Sequence, residues 1–311
     1  MRKRILRKIK IIESGGLLIS LDYLTIGEGN PKTLIISGMH GTERTGNLVI
    51  AKLLEDLPEF IGTLTILPIA NPLGYAMGQR QEPLSDLDLN RQFTGKNDGR
   101  PAFMITNAIM KLAQKYDFVI DLHNYPTAGV IQVGFNDSPK AMKIVLALKP
   151  DVIRASHTEK EWKLEGTLSG YLKNKGIPAV LVELPTHRNV TTEQCERIVN
   201  GIKSHLIMGD KNTELTDNIN KIPHIRIKTV KSPNNGVFYV NSKYKLMDHV
   251  KKDEILGCLV EISSGKKTEI LSPYNGIICE KEVQNEFPTI AGNSLFGIGE
   301  LLKEKNLNEK D

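Results

Sequence analysis

The chain has 311 residues, 40% of them hydrophobic and 25% charged, with 26 Gly, 15 Pro and a formal net charge of +5. A chain of that length gives a prior of about two domains and buries enough surface to fold without staples. Its composition excludes a collagen, a disulfide scaffold and a wholly disordered chain. No stretch approaches the 18 or so apolar residues of a membrane span, so no membrane partner is expected. The only dense basic cluster is Met1-Arg-Lys-Arg-Ile-Leu-Arg-Lys-Ile-Lys10, which reads as a solvated or strand-edge segment. Nucleic-acid binding needs charge gathered on one face, and none is expected here. Ile11-Ile12-Glu13-Ser14 supplies no apolar run after the cluster, so no signal peptide is expected. Three cysteines, Cys195, Cys258 and Cys279, lie without CxxC spacing and agree with a cytoplasmic setting.

In chain order, Thr33-Leu-Ile-Ile-Ser37 is a short apolar run closed by Gly38 and reads as a buried strand. Glu43 to Leu54 has helical spacing, with Leu48, Leu53 and Leu54 expected on or near one face. Leu64-Thr-Ile-Leu-Pro68 reads as a strand, and Phe103 to Gln114 as a helix opened by Pro101. Asp117-Phe-Val-Ile-Asp-Leu122 is a strand, and Gly166 to Lys175 is a helix stopped by Gly176. Ile177-Pro-Ala-Val-Leu-Val-Glu183 is another continuous apolar strand. Thr191 to Ile207 is a helix, with Thr192 as its expected cap. Alternating strands and helices imply an α/β fold with a mostly parallel or mixed central sheet flanked by helices.

The character changes at the polar stretch Gly209 to Asn220, which reads as a linker. Beyond it, short strand-like pieces alternate with the turn signals Pro233-Asn-Asn-Gly236, Ser263-Ser-Gly265, Pro273-Tyr-Asn-Gly276 and Ala291-Gly-Asn293. That spacing suggests a smaller all-β C-terminal domain. The expected division is therefore 1–210 for a catalytic domain and 211–311 for the β domain. Ser232-Pro-Asn-Asn-Gly-Val237 and Ser272-Pro-Tyr-Asn-Gly-Ile277 hint at an internal duplication.

Four separated segments carry polar groups where strands should open to solvent. His40 and Glu43 leave a strand and enter a helix three residues apart, so an imidazole and a carboxylate can meet, which is half of a metal site. Their bland reading is a turn histidine and a carboxylate favouring a helix dipole. His123 ends the strand through Val119-Ile120, at the strand end where α/β sheets bind ligands. With His40 and Glu43 it completes two imidazoles and one carboxylate, the ligand count of a catalytic zinc site. Asp121 shares a strand face with His123 and could orient its ring. Glu183 follows four apolar residues, a costly place for a charge, and its pKa should rise toward that of a general base; the bland alternative pairs it with Lys175. Arg80, Asn90 and Arg91 could hold a substrate carboxylate or a developing oxyanion, or Arg91 could simply pair with Asp86 or Asp88.

The order Gly38-Met-His-Gly-Thr-Glu43, Asp88-Leu-Asn-Arg91, Asp121-Leu-His123 and a strand-end Glu183 resembles the zinc carboxypeptidase superfamily, and within it the succinylglutamate desuccinylase/aspartoacylase family. The resemblance extends over most of the chain. It implies one Zn2+ per chain on His40, Glu43 and His123, Glu183 as the base that then protonates the leaving amine, Arg80 polarising the scissile carbonyl, and Asn90 with Arg91 gripping the substrate carboxylate. It implies a β domain that crowds the cleft and a small N-acyl amino acid or related amide as substrate. A carboxypeptidase acting on short peptides is the alternative within enzymes. The C-terminal part could instead be a lipoyl- or biotinyl-type carrier, with Lys266 or Lys267 at a hairpin tip, and a metal-free homologue that only binds is a further reading. The oligomeric state, homo-oligomer included, stays open. Departures from the family pattern are Leu184-Pro-Thr-His-Arg188, where a glycine is common, and the absence of a clear C-terminal tyrosine, Tyr274 sitting in a turn signal and Phe287 lacking a hydroxyl.

Overall fold

A computed structural model describes residues 3–136, 138–154, 165–208, 219 and 221–302. The expected linker, apart from Ile219, and the charged tail 303–311 lie outside the described residues. The chain opens with a ribbon of β1 (Arg4–Ser14) and β2 (Leu17–Glu28), followed by β3 (Lys32–Ser37), α1 (Thr45–Glu55), β4 (Gly62–Leu67), α2 (Pro72–Met77) and α3 (Pro101–Ala113). Next come β5 (Phe118–Tyr125), β6 (Ala128–Gly129), β7 (Gln132–Phe135), α4 (Pro139–Leu148), β8 (Val152–Arg154), α5 (Leu168–Asn174), β9 (Ala179–Pro185) and α6 (Thr192–Met208). The rest is β10 (His224–Lys231), β11 (Gly236–Val240), β12 (His249–Val250), β13 (Ile255–Glu261), β14 (Lys267–Leu271), β15 (Gly276–Lys281), β16 (Glu286–Thr289) and β17 (Ser294–Leu301).

A mixed sheet runs β1-β2-β4-β3-β5-β9-β7-β8-β10-β17-β15-β12, with β6 on β15. Its centre, β4-β3-β5-β9, is parallel. Such strands must bury both faces, and they do. Ile35, Ile120, Leu122, Val180 and Val182 pack against α1, α4 and α6, while Leu34, Ile36, Val119 and Ala179 pack against α3 and α5. The expected basic segment is the edge strand β1, where charged side chains discourage pairing with another chain. Four further strands, β14-β13-β11-β16, form a separate antiparallel sheet packed around the fully buried Phe238 and Phe296. The large sheet does not stop at β8: β10 pairs with it in parallel, and β17 and β15 follow antiparallel. The C-terminal strands are thus hydrogen-bonded to the sheet that carries the site.

Two local expectations need correction. Leu48 is 42% exposed, because the buried stripe of α1 is Val49, Ile50 and Leu53 and Leu48 falls one step outside it. The cap of α6 is Thr191, not Thr192: its Oγ1 accepts from Gln194 N at 3.2 Å while Gln194 Oε1 accepts from Thr191 N at 3.0 Å, a reciprocal capping box. The two similar phrases do adopt the same turn. Ser232 Oγ donates to Asn234 O at 2.8 Å and Ser272 Oγ donates to Tyr274 O at 2.7 Å, each just before a strand that starts at glycine.

Candidate metal centre and cleft

The path of the chain creates the site. From β3 it crosses through α1 to β4 on one side, and from β4 it returns through α2 and α3 to β5 on the other side of β3. The carboxyl ends of β3 and β5 therefore flank a switch point, where an open α/β sheet has room for a ligand. At the end of β3, Gly38 has φ +64°, a conformation glycine takes without strain. A Cβ at Gly41 would lie 2.0 Å from the Gly74 backbone. These two glycines let the turn fold back so that His40 and Glu43 converge, with Glu43 N donating to His40 O at 3.0 Å. Asn124 locks the arrangement: its Oδ1 accepts from Thr45 N at 3.1 Å, capping α1, and its own N–H donates to Glu43 Oε2 at 3.2 Å.

The strand period supplies the other half. Val119, Asp121 and His123 lie on one face of β5, and His123 sits opposite Glu183 in the register with β9. Ala179, Leu181 and Glu183 share the corresponding face of β9, so His123 and Glu183 look into the same space.

Both imidazoles turn Nδ1 toward one carboxylate. His40 Nδ1 is 2.8 Å from Glu43 Oε1 and His123 Nδ1 is 3.0 Å from Glu43 Oε2. One ligand atom from each of the three residues lies within 4.8 Å of the others, and all three residues are buried. The opposite nitrogens are held by acids: His123 Nε2 is 3.0 Å from Asp121 Oδ2, and His40 Nε2 is 2.9 Å from Asp88 Oδ1. A carboxylate behind each imidazole fixes the ring and raises its basicity as a metal ligand. Burial opposes charging His123, but the Asp121 and Glu43 carboxylates outweigh it and push its pKa well above the ordinary value. Burial would likewise raise Glu43, yet the two rings hold it well below the usual carboxylate range. Two nitrogens and a carboxylate oxygen with oriented rings are a donor set that suits zinc.

Around this centre lies a cleft of about 960 Å³. Arg80 reaches in from beyond α2, with Nη1 3.0 Å from Glu43 Oε1 and Nη2 3.1 Å from Asp88 Oδ2. Asn90 and Arg91 line the cleft on a short 3-10 turn. Asn90 Oδ1 accepts from Leu168 N at 3.0 Å, tying that turn to α5, and Arg91 Nη1 donates to the Asn90 carbonyl at 2.7 Å. Arg91 forms no ion pair with Asp86 or Asp88, although, against burial, the His40 ring, Arg80 and then its own charge hold the Asp88 carboxyl below its ordinary value. Glu183 is largely buried in the wall, and burial pushes its pKa up, opposed first by the cation beside it. That cation is Arg154, whose Nη1 lies 3.2 Å from Glu183 Oε1; Lys175 instead lies over the Tyr171 ring. His187 and Arg188 line the cleft, as do Glu282 and Gln284 from the turn after β15, whereas Tyr274 lies in the C-terminal core under Lys228.

Sequence reasoning missed Arg154 and the position of Asp88 behind His40. The three-residue strand β8 carries no periodicity that would place Arg154. Asp88 stands in the motif with Asn90 and Arg91, but its partner lies 48 residues away.

Comparison with known proteins fits this geometry. The family model for the succinylglutamate desuccinylase/aspartoacylase catalytic domain matches residues 29–208, more than half of the chain. The chain belongs to that family, whose members are hydrolases that remove acyl groups from amino acids. No curated protein matches it. Among solved structures, a succinylglutamate desuccinylase/aspartoacylase from Rhodobacter sphaeroides superposes with a TM-score of 0.76 at 18% identity, covering 97% of this chain and 95% of that one. The product-bound ectoine utilization protein EutE (DoeB) from Ruegeria pomeroyi gives 0.78 at 17% identity, covering 95% of each chain. An aspartoacylase family protein from Mesorhizobium loti gives 0.70 at 20% identity, covering 97% and 96%. At these identities the structures establish a shared fold over nearly the whole length. Among the described residues no helix is long and apolar enough to cross a membrane.

Proposed function

We propose that the chain is a zinc-dependent deacylase that hydrolyses the amide of a small N-acyl amino acid. The reading rests on one observation: His40, Glu43 and His123 converge with Nδ1, Nδ1 and carboxylate oxygen within 4.8 Å, beside an open cleft into which Glu183 also faces. A divalent ion held by these three groups supplies Lewis acidity, polarising an amide carbonyl and lowering the pKa of a water toward ~7.

The chain's own residues do the rest. Glu183 accepts the proton of the attacking water, for which a raised pKa suits it. It then hands that proton to the departing nitrogen, so amide plus water yields a carboxylate and an amine. Arg154 holds Glu183 at one oxygen and leaves the other to the water. Arg80 offers a guanidinium N–H to the carbonyl oxygen as charge builds there. Asn90 and Arg91 hold the substrate carboxylate, a planar group that a guanidinium fork matches. Asp88 and Asp121 keep the two rings turned toward the ion. Glu282 and Gln284 line the cleft from the turn after β15, where they would favour a small acylated amino acid over a peptide.

The test is a screen of N-acetyl, N-succinyl and N-formyl amino acids with zinc-loaded and chelator-stripped protein, reading amine release. Release that depends on the metal supports the reading. Release of equal rate from stripped protein, or from none of these amides, overturns it.

A further inference from the structure

Charged groups in the cleft divide into those held by a charged or aromatic partner and those not. Arg44 is held by the Tyr75 carbonyl at 3.1 Å and lies over the Tyr75 ring. Arg80 sits on Glu43 and Asp88, and Arg154 on Glu183. The Arg91 side chain bonds only to the uncharged Asn90 carbonyl, among the hydrogen bonds of the described residues, and Arg188 lines the cleft without an ion pair to any of them. Of the carboxylates, Glu43 is bound by two imidazoles, Arg80 and a backbone amide, and Glu183 by Arg154.

Glu282 differs from both. It follows β15, stands half-buried in the cleft wall, and has neither a hydrogen bond nor an ion pair to any described residue. Burial alone pushes its pKa up, with no cation among the described residues offsetting that cost. A half-buried carboxylate facing a ligand cleft without a counter-charge is costly for the empty protein, and a cationic ligand group placed there recovers that cost. The cleft thus presents, on separate elements and without an ion pair among the described residues, the Arg91 guanidinium on the segment before α3, whose charge also acts on Asp88, and the Glu282 carboxylate on the turn after β15.

Resting on the deacylase reading above, we propose that Glu282 is a specificity-determining residue, selecting N-acyl amino acids whose side chain carries an ammonium group. The substrate carboxylate goes to Arg91 and the side-chain ammonium to Glu282, so the two ends of one zwitterionic substrate satisfy two charges on separate elements of the cleft.

The experiment uses the zinc-loaded full chain and the acyl group that the screen selects. It compares derivatives of lysine and ornithine with those of norleucine, which matches lysine in shape without the charge, and of glutamate. For the wild type, kcat/KM on the better cationic derivative should exceed that on the norleucine derivative by roughly tenfold, mostly through KM, the scale of one ion pair out of bulk water. E282Q should bring that ratio near one, and E282K should turn the preference toward the glutamate derivative. A wild-type preference for the neutral or acidic derivative, or a cationic preference that survives in E282Q, overturns the inference while the deacylase reading stands. Metal-dependent release from none of the derivatives overturns both.

Discussion

The two walls of the cleft are built differently. On the side of β3, β5 and β9, the three candidate metal ligands and Glu183 stand at or just past the ends of strands buried on both faces, and the ligands are bonded to partners themselves held in place. On the side of the C-terminal strands, Glu282 and Gln284 sit on a turn beside Val283, which is 61% exposed, with no partner for the Glu282 carboxylate among the described residues. A metal and a general base need fixed geometry, and strand ends in a two-sided core supply it. Selecting a substrate needs groups left unsatisfied until the substrate arrives, and a surface turn tolerates that at lower cost.

The sharpest break in this comparison comes from the rigid wall. Glu183→Ala should keep the metal while cutting turnover roughly 10³-fold, the middle of the range for loss of an acid–base group; metal content by elemental analysis and initial rates check both halves. Next come the acids behind the rings. Asp121→Asn and Asp88→Asn should each weaken metal affinity about 10- to 100-fold, read by competition with a chelator, whereas a similar change at Glu282 should leave affinity for the ion alone as it is.

Arg154→Gln sharpens the comparison through pH. Glu183 must be ionised to act, and its pKa is raised by burial and lowered by Arg154. Activity on the acid side is therefore lost as pH falls through a value above the ordinary carboxylate range, and removing the cation should move that limb of the kcat/KM profile to still higher pH. An unmoved limb would show that Arg154 does not tune the base. The smallest effect lies outside the cleft: Thr191→Ala removes one half of the α6 capping box and should cost about 1 kcal/mol, or a few degrees in Tm.

How much of this the sequence disclosed depends on the reach of each signal. The central strands were legible because two-sided burial writes continuous apolar runs such as Thr33 to Ser37 and Ile177 to Val182. The glycines at 38 and 41 marked the turn that gathers His40 and Glu43. The β1–β2 ribbon and α4 left weaker traces, since β1 alternates basic and apolar residues at an edge and α4 follows a strand only four residues long. The α6 cap was misplaced by one position because Thr191 and Thr192 have the same chemistry, and only the backbone entering the helix selects between them.

By itself the sequence determined the elements of the catalytic wall and the residue types at their ends, because hydrophobic period, turn chemistry and short motifs are local properties. Only the tertiary structure decided which acid stands behind His40, which cation meets Glu183, and that a carboxylate from the C-terminal strands lines the cleft with no partner among the described residues. Those facts depend on strand pairings between distant segments, such as β8 with β10 and β15 with β6, and pairing partners across such separations are set by the packing of the whole sheet rather than by any one stretch of chain.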